Sequence, residues 1–426
     1  MTRYSSGPSA ALEGFSDSTT PILLFTHSNS EEIPTAGWAA AETVRRRRLR
    51  PDPAAWDLLS IALSVVVADG ETSRSPSSDG WTRAFDLDVA LHDPTRWESL
   101  ANPLSSALAF LTTDRWNITF NGGGALPTPP EKPRYPQTEA VSLLSGGLDS
   151  LIGAIDLTVG GHRLFAVSQT VRGDKDKQTR FAKLIGGGLE HLQINHNAST
   201  RRAQKETSQR SRSLIFLAFG VLAATATQRY ADGETVPLYV CENGFIAINP
   251  PLTQARIGSL STRTAHPEFL GRMQDLLDRA GLNVRIENPY AEKTKGEMMR
   301  ECLDQTVLAS TASDSTSCGR FQRFNYTHCG RCVPCQIRRA AFLAWARTDS
   351  TQYFYDDLSK PDSDHAAFDD VRSVAVARLS VNEGGLDGWL GPGLSSSLIT
   401  NRSAVRDMIQ RGLDELGLLH TRYGLA

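Results

Sequence analysis

Four cysteines, Cys318, Cys329, Cys332 and Cys335, fall within eighteen residues. The last three form the run Cys329-Gly330-Arg331-Cys332-Val333-Pro334-Cys335, a C-x2-C-x2-C knuckle whose thiolates converge. Cys318 supplies a fourth sulfur from an adjacent loop. Four sulfurs suit a closed tetrahedral Zn2+ site with a structural role. Such clustering argues for metal rather than for a disulfide framework. An iron–sulfur cluster and redox thiols are the alternatives, although a redox pair needs only two cysteines. His328 abuts the knuckle and is expected to pack beside it. Cys241 and Cys302 stand alone and are expected to be buried.

The second signature is Val141-Ser142-Leu143-Leu144-Ser145-Gly146-Gly147-Leu148-Asp149-Ser150. An apolar strand runs into a Ser-Gly-Gly turn that opens an amphipathic helix. Adjacent glycines let the backbone approach an anion and present several N–H groups to it. The helix directs its positive end at the same point. Residues Leu144 to Ser150 are therefore the candidate phosphate cradle. The Ser145 and Ser150 hydroxyls add hydrogen bonds, and Asp149 serves the helix start or helps to hold Mg2+. A bare S-G-G also fits an ordinary βα turn.

These groups need a scaffold, and the chain is long enough for two or three domains: 426 residues, 40% apolar and 22% charged. The net charge of −2 leaves no global basic field, so nucleic acid is not required. The N-terminus has no apolar secretory core. The run Leu214 to Ala226 is too short to span a bilayer and reads as a buried helix. A cytoplasmic protein is expected, with no membrane partner.

Residues 1 to about 16, rich in Ser and Gly, read as loose. Strands at Pro21–His27, Phe85–Leu91 and Trp116–Phe120, with helices at Ala54–Ala68 and Leu100–Leu111, make an α+β unit; Asp57 sits near the start of the first helix. Asn121 to Gln137, with three consecutive glycines and five prolines, reads as a linker. A second unit then alternates strand and helix as far as Gln305, which implies a parallel sheet covered on both faces. The tail carries Phe368, Val371, Val374 and Ala375 at helical spacing. A last helix follows through Val405 to Leu416, with Ser403 as cap and Gly417 as stop. The expected boundaries are 1–136, 137–355 and 356–426, and no internal repeat is apparent. The basic run Arg45 to Arg50 reads as a solvated helix end or a partner or RNA surface. Arg172, Lys175, Lys177, Arg180 and Lys183 read as a solvated helix face, some of it flanking nucleotide.

S-G-G-x-D-S after a strand resembles the PP-loop of the N-type ATP pyrophosphatases. Joined to the late cysteine cluster, it resembles the 7-cyano-7-deazaguanine synthase family, QueC, over about residues 138 to 350. The resemblance implies an α/β PP-loop fold with a zinc knuckle. It also implies ATP, Mg2+ and Zn2+, and adenylation of a 7-deazaguanine carboxylate followed by attack of an amine. Ser211-Arg212-Ser213 sits where the family has an R-N pair, which gives Arg212 a phosphate role. Thr294-Lys295-Gly296-Glu297-Met298 resembles its T-K-x-E-I helix start, with Lys295 near the phosphates. His266-Pro267-Glu268-Phe269-Leu270 resembles its R-P-E-F-I segment, and Arg338, Arg339, Ala340 and Phe342 echo its L-R-x-x-A-F run. Ser145, Asp149, Ser150, Arg212 and Lys295 are thus the catalytic set, with Ser168 joining the nucleotide-binding residues.

The chain departs from the plain synthase at Ser168-Gln169-Thr170-Val171-Arg172, at Arg263-Thr264-Ala265-His266 and from Glu242 to Pro251. There E-N-G-x-I-A-x-N-P-P-L, S-T-R-T-x-H-P-x-F-L and H-C-G-R-C-x-P-C resemble the QueC-like proteins of bacterial anti-phage operons, the QatC proteins of Qat systems and their type IV CBASS relative. That likeness extends to Asp79-Gly80-Trp81-Thr82-Arg83 and Leu111-Thr112-Thr113-Asp114-Arg115-Trp116. Glu242 and Asn243 follow an apolar strand at the edge where parallel sheets place ligands, although a strand-ending turn fits as well; His266 is read as orienting substrate or acceptor or as structural, and Arg263 and Glu268 join these as substrate residues. The likeness implies a partner protein of the same defence operon as the source of the amine. A plain nitrile synthase, a sulfur-transferring enzyme acting on tRNA through Cys241 and Cys302, and a non-catalytic scaffold are the competing readings.

Overall fold

The structure is a computed structural model that describes residues 1–12, 18–27, 32–201, 206, 210–253, 263–360 and 369–425. Phe368 and the first two residues of the S-T-R-T segment lie outside the described residues. Two parallel five-stranded sheets dominate. The first contains β1 (Thr2–Gly7), β2 (Thr20–Leu24), β3 (Thr35–Ala36), β4 (Ala84–Ala90) and β5 (Arg115–Asn121), in the order β3-β2-β1-β4-β5. The second contains β6 (Ala140–Leu143), β7 (Leu164–Gln169), β8 (Glu190–Ile194), β9 (Val236–Tyr239) and β10 (Val284–Glu287), in the order β8-β7-β6-β9-β10. The principal helices are α1 (Trp38–Arg46), α2 (Pro53–Glu71), α3 (Ala101–Thr112), α4 (Leu148–Val159), α5 (Lys175–Leu184), α6 (Arg212–Ala224), α7 (Pro267–Arg279), α8 (Lys295–Glu301), α9 (Val333–Trp345), α10 (Asp370–Gly384) and α11 (Arg402–Arg422).

The N-terminus corrects the expectation of a loose segment. Residues 2–7 form the central strand of the first sheet, paired with β2 and β4. Low hydrophobicity hid it, because Tyr4 is the one large side chain it buries and Ser5, Ser6 and Gly7 fill the rest. The Ser6 hydroxyl donates to Asp88 O (3.1 Å) and accepts from Ser64 of α2 (2.6 Å). The first unit is also parallel throughout rather than α+β. Its alternating pattern reflects a sheet with one polar face: Asn117 donates to Asp86 there (2.8 Å), and Thr119 bonds Asp88.

Numbered within each unit, both sheets have the order 3-2-1-4-5. No sequence repeat announces this. Helices in equivalent places meet across the interface: α2 packs along α6, each preceding its unit's fourth strand, and α3 packs along α7, each preceding the fifth. This is the pattern of an isologous contact, formed here within one chain. One apolar core runs through it, from Ile22 and Leu59 to Phe219, Leu238 and Phe269. Burial on all sides explains why α2 is apolar all round. It is the only helix among the described residues long and apolar enough to cross a membrane, yet 94% of the tested window is buried inside the protein. Asp52 caps α2 by accepting from Ala54 N (2.8 Å). Asp57 lies inside the helix and accepts from His92 N and Asp93 N.

In the tail, Asn401 rather than Ser403 caps α11. Gly417 lies within that helix, where the Arg378 guanidinium would meet a Cβ. The basic run is a solvated helix end whose arginines are all exposed. Arg45 and Arg46 pair with Glu42, Arg47 donates to His191 O, and Leu49 is buried.

Where α2 ends, Asp69, Arg74, Arg83 and Asp114 form a buried cluster. Arg83 Nη2 lies 2.5 Å from Asp69 Oδ1 and 2.7 Å from Asp114 Oδ2, and Arg74 Nη1 lies 2.9 Å from Asp114 Oδ1. Two cations balance two carboxylates, so loss of one partner strands a buried charge. Arg83→Met is expected to cost about 3–5 kcal/mol, read as a fall in the denaturant midpoint; an unchanged midpoint would contradict the stabilising role.

Candidate functional site

The S-G-G turn leaves β6 at the centre of the second sheet, where the connections reverse direction between β6 and β9. In open parallel sheets ligands bind at that crevice, outside the carboxyl ends of the strands. Gly146 has φ 91°, a conformation open to glycine. Gly147 N donates to Ser145 Oγ (3.1 Å), Ser145 N to Ser150 Oγ (3.2 Å), and the two hydroxyls lie 2.9 Å apart. Gln178 Nε2 donates to Ser145 O (3.0 Å), and Thr316 N to Gly146 O (2.9 Å). The turn is thus held from α5 on one side and from the cysteine loop on the other.

Beside it lies a cavity of about 340 Å³, within the roughly 300–1,000 Å³ of ligand pockets. Ser145, Gly147, Ser150, Arg212 and Thr316 make its polar wall. Phe216, Leu217, Val240, Phe269 and Leu270 make an apolar wall suited to a planar base. Arg212, at the first position of α6, is exposed towards this space.

Behind the turn is a buried acidic pair. Asp149 bonds Lys295 Nζ and accepts from Asn243 Nδ2 (2.7 Å). Burial opposes the Asp149 charge, but the Lys295 ammonium and hydrogen bonds from Glu242, Lys295 and Asn243 hold its carboxyl below the usual range. Glu242, in the cavity wall, is pushed well above the usual glutamate range by burial and then by the Asp149 charge. The two carboxyls are thus driven apart, Asp149 towards its charged form and Glu242 towards its protonated form. The Asn243 side chain also accepts from Ile246 N (3.0 Å), so a short helical turn fixes it.

Other expected site residues stand elsewhere. Leu144 and Leu148 are buried as core on either side of the turn. Ser168 is fully buried; its hydroxyl donates to Leu144 O (2.6 Å) and contacts His191 Nε2 (2.9 Å), so it supports the turn from behind. Its neighbour Gln169 lines the cavity instead. His266 caps α7 by accepting from Glu268 N (3.1 Å) and packs on Phe110; burial lowers it to about 4, so it is neutral. Arg263 donates to Phe110 O (3.2 Å) and lies over that ring. Glu268 pairs with Arg272 (2.7 Å) and bonds Ser396. Thr264 and Ala265, between Arg263 and His266, are the residues of this segment that face the cavity. Thr316 and Asp174 were missed: Thr316 Oγ1 donates to Asp174 (2.7 Å) and accepts from Lys177 (2.8 Å). Their roles come from loop packing and leave no local signature.

The four cysteine sulfurs lie within 4.8 Å of one another, and all four residues are buried. Zn–S bonds of about 2.3 Å in a tetrahedron place sulfurs about 3.8 Å apart. The pairs Cys318–Cys332 and Cys329–Cys335 are each 3.9 Å apart. Backbone N–H groups of Arg320, Cys329 and Cys332 point at sulfurs at 3.3 Å, as they do around thiolates. The cluster fits a zinc knuckle. His328 is no ligand here: its Nε2 accepts from Ser317 N (3.1 Å). Cys241 and Cys302 are buried, and burial raises both thiols, Cys302 to about 12. Neither is a ready thiolate nucleophile.

Two outcomes follow from this geometry. Elemental analysis of the purified chain is expected to find about one zinc, and Cys332→Ser is expected to lose it with a fall in melting temperature; a wild-type chain free of zinc would contradict the site. Glu242 binds its proton more tightly folded than unfolded. Without added divalent metal, stability should therefore fall as pH rises above the ordinary glutamate value of 4.5 and through the raised value. Denaturant titrations across pH should show this slope in the wild type and a flatter one in Glu242→Gln.

A family model described as queuosine biosynthesis protein QueC matches residues 264–346, which hold α7, α8 and the cysteine knuckle. A 7-cyano-7-deazaguanine synthase of Methanocaldococcus jannaschii is 33% identical over 89 residues, 20% of this chain and 38% of that relative. The synthase of Methanococcus aeolicus is 22% identical over 237 residues, 50% of this chain and 99% of the relative. That of Synechococcus sp. strain CC9311 is 26% identical over 231 residues, 49% and 95% of the two chains. The first alignment thus spans well under half of its relative, whereas the other two span nearly all of theirs. Together with the parallel sheet and the cysteine knuckle, these similarities support a distant relationship to the QueC family.

Proposed function

We propose that the chain is an ATP-dependent, AMP-forming ligase of the QueC type, which activates a 7-deazaguanine carboxylate and transfers it to an amine. The observation that carries this reading is a single cavity lined by the S-G-G turn, the residues that open α4 and Arg212 together with apolar and aromatic side chains. The turn N–H groups and the Ser145 and Ser150 hydroxyls hold the phosphates, and Arg212 balances their charge. The substrate carboxylate oxygen attacks the α-phosphorus, the bond to the β-phosphate bridge breaks, and pyrophosphate leaves. The amine nitrogen then attacks the acyl carbon, AMP departs with the oxygen, and the amine loses a proton. Asp149 and Glu242 would hold Mg2+, which would supply charge for the pyrophosphate leaving group. Zinc on the four cysteines holds the loop that brings Thr316 to the turn.

The acceptor, in this reading, is an amine on a partner protein of an anti-phage operon, and the setting is the cytoplasm. Ammonia as acceptor gives the plain synthase reaction. The raised thiols of Cys241 and Cys302 speak against sulfur transfer.

The test is incubation with ATP, Mg2+ and 7-carboxy-7-deazaguanine, with and without ammonium, assaying AMP and pyrophosphate. AMP release that depends on the acid is expected, and Arg212→Ala should lower its rate about 10²-fold. Labelled deazaguanine should then appear on a co-purified partner. Free nitrile alone would favour the plain synthase, and no AMP with every partner present would leave a scaffold.

A further inference from the structure

Two carboxylates from outside the second unit reach into it, and each ends at a helix start that carries a cation: Arg212, which lines the cavity, and Lys295, which pairs with Asp149 behind the phosphate turn. Asp69, in the last turn of α2, is fully buried. Its Oδ2 accepts from Arg210 N (2.9 Å), Ser211 N (3.0 Å) and the Ser211 hydroxyl (2.7 Å). These groups open α6, and the next residue is Arg212. Asp69 Oδ1 is held by Arg83, which also binds Asp114. The D-G-W-T-R and T-T-D-R-W segments of the first unit thus converge on this contact. The Arg74 and Arg210 guanidinium groups both lie over the Trp81 ring, 4.5 Å and 4.7 Å from its centre. Nearby, Glu206 N donates to Gly70 O (2.9 Å) and Arg201 N to Glu71 (2.9 Å). The approach to α6 is therefore fastened to the end of α2.

Glu415 does the same from α11. Its Oε1 accepts from the Thr294 hydroxyl (2.5 Å) and its Oε2 from Gly296 N (3.2 Å), so it brackets Lys295. A Cβ on Gly296 would lie 2.3 Å from Glu415 Oε1. Arg411, one turn earlier, pairs with Glu297 (2.6 Å). Neither Asp69 nor Glu415 lies in the residues matched by the QueC model.

Glu415 holds an N–H in the first turn of α8, and Asp69 holds the two N–H groups that lead into α6, so each carboxylate fixes how its helix begins. A cation at the first helical position moves with that turn, and a displacement of about 1 Å can cost about 10²-fold in rate. We propose that Asp69 and Glu415 are positioning residues for Arg212 and Lys295, which makes the first unit and the C-terminal helices working parts of the nucleotide site. This inference rests on the ATP-dependent reading above.

The test measures binding of α,β-methylene-ATP to the full chain by calorimetry, with melting temperature as a control on folding. Asp69→Asn and Glu415→Gln are each expected to weaken binding about tenfold; Ser211→Ala, a milder change at the same contact, should weaken it less. The decisive readout is the double-mutant cycle. Asp69→Asn should add nothing in an Arg212→Ala background, and Glu415→Gln nothing in a Lys295→Ala background. Losses that simply add, or unchanged binding in both single variants, would overturn the inference and leave the functional reading standing. A wild-type chain that binds no adenine nucleotide would overturn both.

Discussion

The helix α6 is apolar on nearly every side, and the architecture follows from covering it. A parallel sheet needs helices on its faces, because its strands are buried throughout. Here α6 and α7 cover one face of the second sheet. Their outer sides are covered in turn by α2 and α3, whose own far sides cover the first sheet. Four helices thus form a shared layer between two sheets of the same strand order. The helix that presents Arg212 lies in the middle of the molecule, and its N-terminal end opens onto the cavity.

That placement sets the electrostatics. Charges close to such a layer persist only when paired. At the end of α2, two arginines meet two aspartates. Behind the phosphate turn Lys295 faces Asp149, and burial and the Asp149 charge push the second carboxyl, Glu242, towards its protonated form. A bound divalent cation would change that balance by drawing the proton off Glu242. The cysteine knuckle acts by position rather than by charge: it anchors the loop whose Thr316 N–H meets Gly146 O, so the phosphate turn is braced from outside its own βα unit.

Much of the second unit was legible in the sequence. The S-G-G-x-D-S string and the cysteine spacing are local patterns, and local chemistry enforces their structure. A positive φ at Gly146 and convergent sulfurs at Cys318, Cys329, Cys332 and Cys335 need no distant partner to be anticipated. Runs such as Leu214 to Ala226 gave their helices away because burial on all sides leaves a continuous apolar stretch. The same logic failed at β1, where Tyr4 is the one bulky buried side chain and Ser5, Ser6 and Gly7 make up the rest of a buried strand.

The sequence by itself determined the chemistry available: a phosphate turn, a four-sulfur cluster and a set of cations in βα units. Only the tertiary structure decided which groups share a site. Arg263, His266 and Glu268 carry suggestive side chains, yet α7 is capped by His266, Glu268 is drawn to Ser396, and Arg263 lies on Phe110 of the first unit. Asp69 and Glu415 gave no sign of a role at all, because a helix cap supplied from 142 residues away in the chain, as Asp69 is to Ser211, has no local signature. Strand order, too, was settled by packing. Two units without a detectable repeat share one topology because right-handed crossovers and two-sided burial admit few arrangements of five parallel strands.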